Sequence, residues 1–112
     1  MTYRLYIDTK NTEAVVVALV RNDGMRFEKT VTSTIVRSQS VLPTIESLME
    51  ESQCLWGDIG DINVSTGPGS FTGLRVGAVI GTTLSWLLSI PINNQHPGTI
   101  PELEYGADRW NL

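Results

Sequence analysis

The residues best suited to chemistry in this chain are Asp8-Thr9 and the run Gly67-Pro68-Gly69-Ser70-Phe71-Thr72-Gly73-Leu74-Arg75-Val76-Gly77. In the second stretch, four glycines and a proline surround two hydroxyl residues just ahead of a long apolar segment. That order reads as a tight loop feeding the N-terminus of a buried helix. Asp8, Thr9, Gly67, Gly69, Ser70, Thr72 and Gly73 are therefore the candidate cofactor-binding residues. Backbone N–H groups near Ser70 and Thr72, with the positive end of the helix dipole, suit a phosphate, and Asp8 would hold metal-bound water, as for ATP with Mg²⁺. The alternative is structural. Asp8 caps a turn, Ser70 caps the helix, and the glycines let another backbone come close. We prefer this second reading, because a glycine loop before a helix has many uses.

The other reactive side chains are less suggestive. Cys54 has neither a basic neighbour nor a nearby histidine, so a nucleophilic role is not expected. His96 stands alone in a polar loop, and a zinc site wants three or four ligands, so no metal ligand is assigned. No catalytic residue is assigned either. Glu50-Glu51 reads as a solvated helix end. Arg75 reads either as a partner for a carboxylate at an interface rim or as a solvent-facing side chain.

The elements that must position these residues follow from periodicity. Residues 3–7 form an apolar and aromatic strand that stops at the turn-rich cluster 8–12. Residues 14–20 are a continuous β-branched run, expected for a central strand covered on both faces. Asn22-Asp23-Gly24 is a hairpin signal of the type I′ kind, and 25–31 then alternates, with Arg26, Glu28 and Thr30 on one side and Met25, Phe27 and Val31 on the other. Val41, Leu42, Ile45, Leu48 and Met49 fall on one helical face, and Pro43 places the first turn at about 40–43. Residues 62–66 form a strand entering the glycine loop, 71–89 a second helix ended by Pro91, and 90–93 a last short strand. Residues 94–112, with Pro97, Gly98 and Pro101, are expected to be a tail. The fold class is thus α/β, of order β-β-β-α-β-α-β, with a mixed sheet and two helices.

Composition narrows the function classes. The chain has 112 residues, 41% of them apolar, which is one domain with a single core. Only 18% are charged, low enough to point to a partner covering part of the surface. The net charge of −4 argues against an autonomous nucleic-acid binder. A single cysteine fits a reducing compartment, and the strand pattern of residues 1–8 does not read as a signal peptide, so a cytoplasmic location is expected. Residues 76–92 carry no charge, but their threonines, serines and glycines and Pro91 favour a buried helix over a membrane span.

In the second helix Gly73, Gly77, Gly81, Ser85 and Ser89 recur every four residues. A glycine costs about 1 kcal/mol inside a helix, so this stripe asks for close approach of another element. Leu74, Val76, Val79, Ile80, Leu84, Trp86, Leu87 and Leu88 make the remaining faces apolar as well, and a second chain is the natural cover. The expected partner interface is Val41, Leu42, Ile45, Leu48, Gly73, Leu74, Arg75, Gly77, Ile80, Gly81 and Leu84. On this view Gly77→Leu or Gly81→Leu abolishes association and leaves the monomer folded.

Ile7-Asp8-Thr9, Val41-Leu42-Pro43, the whole 67–77 run and the trailing Leu84-Ser85-Trp86 and Ile90-Pro91 resemble the bacterial TsaB (YeaZ) family. The resemblance covers about residues 3–93. It implies the actin/hexokinase-like (ASKHA, ribonuclease H-like) fold. It also implies a non-catalytic subunit that pairs with a TsaD-like partner, or with itself, through the two helices at about 40–51 and 71–88. The setting it implies is threonylcarbamoylation of the tRNA adenosine beside the anticodon, with a TsaE-like ATPase, tRNA contacted only through the complex, and no membrane. No cofactor is expected on this chain, with ATP and Mg²⁺ belonging to the complex. TsaD-like proteins hold their metal with a His-x-x-x-His pair after the last strand of this half, and residues 93–100 contain only His96. Ser38-Gln39-Ser40 stands where a more basic or histidine-containing run is expected of the family. Relatives carry a second domain, so 1–93 reads as a single N-terminal domain. Residues 94–112 then read as a tail or the start of a second domain, the chain being a fragment or a one-domain form. The rival expectation is a nucleotide-binding, ATPase-like enzyme using Asp8 and the 67–73 loop.

Overall fold

Alternation of apolar and polar residues folds Tyr3–Asp8 into a strand, β1, with Tyr3, Leu5 and Ile7 buried and Arg4, Tyr6 and Asp8 on the opposite face. The structure, a computed structural model, describes residues 1–11, 13–32 and 38–106. β2 (Ala14–Arg21) and β3 (Arg26–Thr32) follow as an antiparallel meander, then α1 (Ser38–Ser52), a 3-10 turn at Trp56–Asp58, β4 (Ile59–Val64) and α2 (Phe71–Leu88). The sheet order is β3-β2-β1-β4, with β4 parallel to β1. A parallel neighbour needs a crossover, and α1 supplies it. β4 carries an extra residue, Gly60, where pairing shifts from Tyr3↔Ile59 to Arg4↔Asp61.

Both helices lie on one face of the sheet, α1 over β2 and β3 and α2 over β4 and β1. Register aligns Ile7 with Val17 and Leu5 with Leu19, and these four meet Val41, Ile45 and Ile62 in a fully buried core. Each such side chain is worth about 1.5–3 kcal/mol of apolar burial. Lys29 spans from β3 to α1, donating to Ser47 Oγ at 2.9 Å and pairing with Glu51 at 2.9 Å. The expected α/β class and mixed sheet with two helices are present.

Several local expectations are corrected. The β2 run is covered fully on one face, where Val15, Val17 and Leu19 are buried, and only in part on the other, where Ala18 is buried but Val16 and Val20 are half-buried. The hairpin is not a type I′ turn. Gly24 alone has positive φ, at 94°, and its N–H donates to Arg21 O at 2.8 Å, giving a three-residue loop, 22–24, after which Met25 is exposed and not on the covered side with Phe27. α1 already includes Ser38, so Pro43 is not in the first turn. The proline removes the donor that Gln39 O would use. Both residues are exposed, which leaves that carbonyl to water, while Thr44 Oγ1 donates to Ser40 O at 2.6 Å.

The closing strand is reduced to a single parallel bridge, Ile62↔Ile92. Asn93 extends it with its side chain: Oδ1 accepts from Val64 N–H at 2.8 Å and Nδ2 donates to Val64 O at 3.2 Å. Residues 94–106 then turn back along α2, with Pro101 buried, while 107–112 lie outside the described residues.

The small-residue stripe of α2 also finds its neighbour inside the chain. A Cβ on Gly73 would stand 2.1 Å from Thr9 O, one on Gly77 2.3 Å from Thr9 Oγ1, and one on Gly81 2.3 Å from Val64 Cγ1. Close approach is thus the reason for the glycines, but the approaching element is the end of β1 together with β4. The expectation that Gly77→Leu or Gly81→Leu spares the monomer is replaced. Gly73→Ala, which meets backbone, is expected to lower stability by about 2–4 kcal/mol in urea unfolding. Gly81→Leu is expected to leave little folded chain, and the exposed Thr72→Ala is expected to stay within about 0.5 kcal/mol.

Candidate functional site

At the end of β1 the chain passes under the start of α2. Thr9 is fully buried, its N–H donating to Ser65 Oγ at 3.1 Å. Its hydroxyl lies beneath Gly77 and, among the described residues, has no hydrogen-bond partner. Asp8 Oδ1 accepts from Lys10 N–H at 3.1 Å and Oδ2 stands 3.7 Å from Lys10 Nζ. This is the turn-capping role of the structural reading. Ser70 is the N-cap of α2: its backbone is extended, and its Oγ accepts from Gly73 N–H at 3.1 Å.

The glycine loop is enclosed on two sides by protein. Ser70 N–H donates to Lys10 O at 2.9 Å, and a Cβ on Gly69 would stand 2.7 Å from Lys10 Cβ. On the other side Glu104 N–H donates to Thr66 O at 2.7 Å and Gly106 N–H to Gly69 O at 2.9 Å. Gly67, at φ 105° and joined to Pro68 by a cis peptide, would place a Cβ 2.0 Å from Glu104 O. The close access that glycine gives here is used by backbone of the same chain. An open cleft of about 730 Å³ remains beyond it, lined by Lys10, Asn11, Ser70 and Thr72. As arranged, these groups are engaged by protein neighbours: Asp8 stands against Lys10, and the faces of Gly67 and Gly69 are filled by backbone and side chain of the same chain. We derive no chemical step from them.

The residues expected at a partner interface divide into two sets. Val41, Ile45, Leu48, Leu74, Gly73, Gly77 and Gly81 are buried inside the chain. Their type marked them as contact residues, but the contact is with the sheet and the facing helix. Leu42 and Arg75 are exposed, and Ile80 and Leu84 are half-buried. The Arg75 guanidinium lies 5.4 Å over the Phe71 ring, which itself meets the Tyr105 ring at 4.7 Å. The outward side of α2, whose apolar residues the sequence analysis assigns to cover by a second chain, is where Val79, Trp86 and Leu87 are 61%, 67% and 63% exposed. Their offset from the glycine stripe puts them on the side the sheet cannot reach. α2 is long and apolar enough to cross a membrane by length and composition, yet its Gly73, Gly77, Gly81 and Ser85 side is committed to the core.

His96 is exposed in the loop after Asn93 and Asn94, both at positive φ. Cys54 is buried beside the start of the 3-10 turn, and burial, with a smaller contribution from Asp58, pushes its thiol up to about 11. A thiol so shifted stays protonated at neutral pH.

Comparison with known proteins gives a consistent picture. The family model described as "TsaD: tRNA N6-adenosine threonylcarbamoyltransferase" matches residues 34–95. The tRNA threonylcarbamoyladenosine biosynthesis protein TsaB of Bacillus subtilis is 36% identical over 89 residues, covering 80% of this chain and 38% of that protein. The protein of the same name from Haemophilus influenzae is 34% identical, covering 79% and 36%. The solved structure of YeaZ from Pseudomonas aeruginosa superposes with a TM-score of 0.76 at 28% identity, covering 82% of this chain and 42% of that one. The chain therefore spans less than two-fifths of the length of these curated relatives.

Two outcomes are expected. Thr9→Val, which keeps the shape and removes the unpaired hydroxyl, should raise stability by about 1 kcal/mol in urea unfolding. The Cys54 thiol has its folded pKa above the ordinary 9.0, so its contribution is complete below pH 9 and is lost as pH rises towards 11. Unfolding midpoints should fall across that window, and Cys54→Ala should flatten the fall.

Proposed function

Because the chain belongs to the TsaB (YeaZ) family, we propose that it acts as a non-catalytic docking subunit in the biosynthesis of threonylcarbamoyladenosine in tRNA. Its partner is a TsaD-like transferase subunit, with a TsaE-like ATPase completing the assembly in the cytoplasm. Without that partner, the same surface pairs two copies of the chain. Contact with tRNA and with ATP belongs to the assembled complex.

The observation that supports this reading most directly is the asymmetry of α2. One side is sealed into the sheet by glycines, and the other presents Val79, Trp86 and Leu87 to solvent with Arg75 as the helix's sole charge. Large apolar side chains gathered on one exposed helix face are the pattern of a contact surface. On α1, Leu42 is a further large apolar side chain left 39% exposed. The glycine loop supports the same reading, because its groups serve the α2 joint.

Val79→Glu and Trp86→Glu test the proposal by sedimentation and pull-down with the TsaD-like subunit. Either change is expected to weaken the complex at least ~30-fold, the scale of an interface hot spot. The unfolding midpoint of the chain itself should move by less than about 0.5 kcal/mol, as for other surface changes. Unaltered affinity in both variants moves the docking face elsewhere. Calorimetric titration with Mg-ATP addresses the enzyme reading, which gains the lead if micromolar binding appears and Asp8→Ala removes it.

A further inference from the structure

Residues 98–106 run antiparallel to α2 along one flank of its exposed side. They are tied down near both ends. Gly98 N–H donates to Ser85 Oγ at 3.0 Å and Thr82 Oγ1 donates to Thr99 O at 3.1 Å at one end. At the other, Glu104 and Gly106 donate to the glycine loop, and Tyr105 lies against Phe71. Between the ties, contact is incomplete. A groove of about 410 Å³ separates the segment from α2, lined by Val79, Thr83, Ile100, Leu103 and Arg75 among others. Ile100 is 76% exposed although it stands beside that groove. Pro101 is the buried residue of the stretch.

We propose that this segment is a displaceable strap that competes with the docking partner for α2. The inference rests on the docking function proposed above. Arg75, Val79 and Thr83 line the groove and also belong to the outward side of the helix, so the strap and a partner helix claim adjoining surface. A partner that fills the groove must push the strap aside. It then replaces a poorly filled contact with a close one, and the hydrogen bonds at the ends are local enough to break together. The strap thereby sets how tightly the partner binds, and its release frees the carbonyls of Thr66 and Gly69 at the glycine loop.

Amide exchange in the full chain tests this, read at Glu104 and Gly106 with and without the TsaD-like subunit. Both amides should be protected in the free chain and should exchange at least tenfold faster in the complex. A complex in which they stay equally or better protected overturns the proposal. In parallel, Thr82→Val combined with Tyr105→Ala loosens both ends and should tighten binding about tenfold. Equal binding by both forms removes the strap's role and leaves docking intact. If neither form binds, the docking function falls and the strap falls with it.

Discussion

The approach of α2 to Thr9 is the constraint on which the rest of this structure depends. Gly73 lies on the carbonyl of Thr9 and Gly77 on its hydroxyl, at distances no side chain could occupy. That contact sets the height of α2 above the sheet and holds the glycine loop against Lys10. It also decides which residues of the helix face outward. A hydroxyl buried without a partner is a cost of order 1–3 kcal/mol.

A loop that resembles a phosphate cradle in sequence can therefore act as a hinge pin in the fold. The same attributes, small residues and accessible backbone, serve either purpose. What distinguishes them is who occupies the space, and here Lys10 and the backbone of Glu104 do. The chemistry of Asp8 points the same way, since its carboxylate closes its own turn through Lys10. The exposed apolar side chains of α2 lie on the side opposite this joint, so the element that locks the fold also carries the face proposed for docking.

Much of this was legible in the residue pattern. The apolar and aromatic run at 3–7, the alternation from Arg26 to Val31, the helical spacing from Val41 to Met49 and the Ser70 cap each encode a local geometry that the structure shows. The stripe of glycines announced a close approach. It could not say to what, because periodicity reports that a face is covered and not by which element. The hairpin departs from the type I′ expectation because Asp-Gly serves more than one turn type, and only Gly24 takes positive φ. Pro43 misled because its helix-breaking effect weakens where the orphaned carbonyl can reach water. Residues 94–106 carried no period, since they are held by scattered hydrogen bonds to α2 and the loop.

The side-chain amide of Asn93 pairs with both backbone groups of Val64 where a further strand residue would have paired. A side chain offers that pairing once and cannot pass it on, so the ladder ends there. The outer edge of β4 is thereby sealed against strand addition by another molecule. At the opposite edge of the sheet, β3 carries Arg26, Glu28 and Lys29, which put charge in the way of indiscriminate pairing.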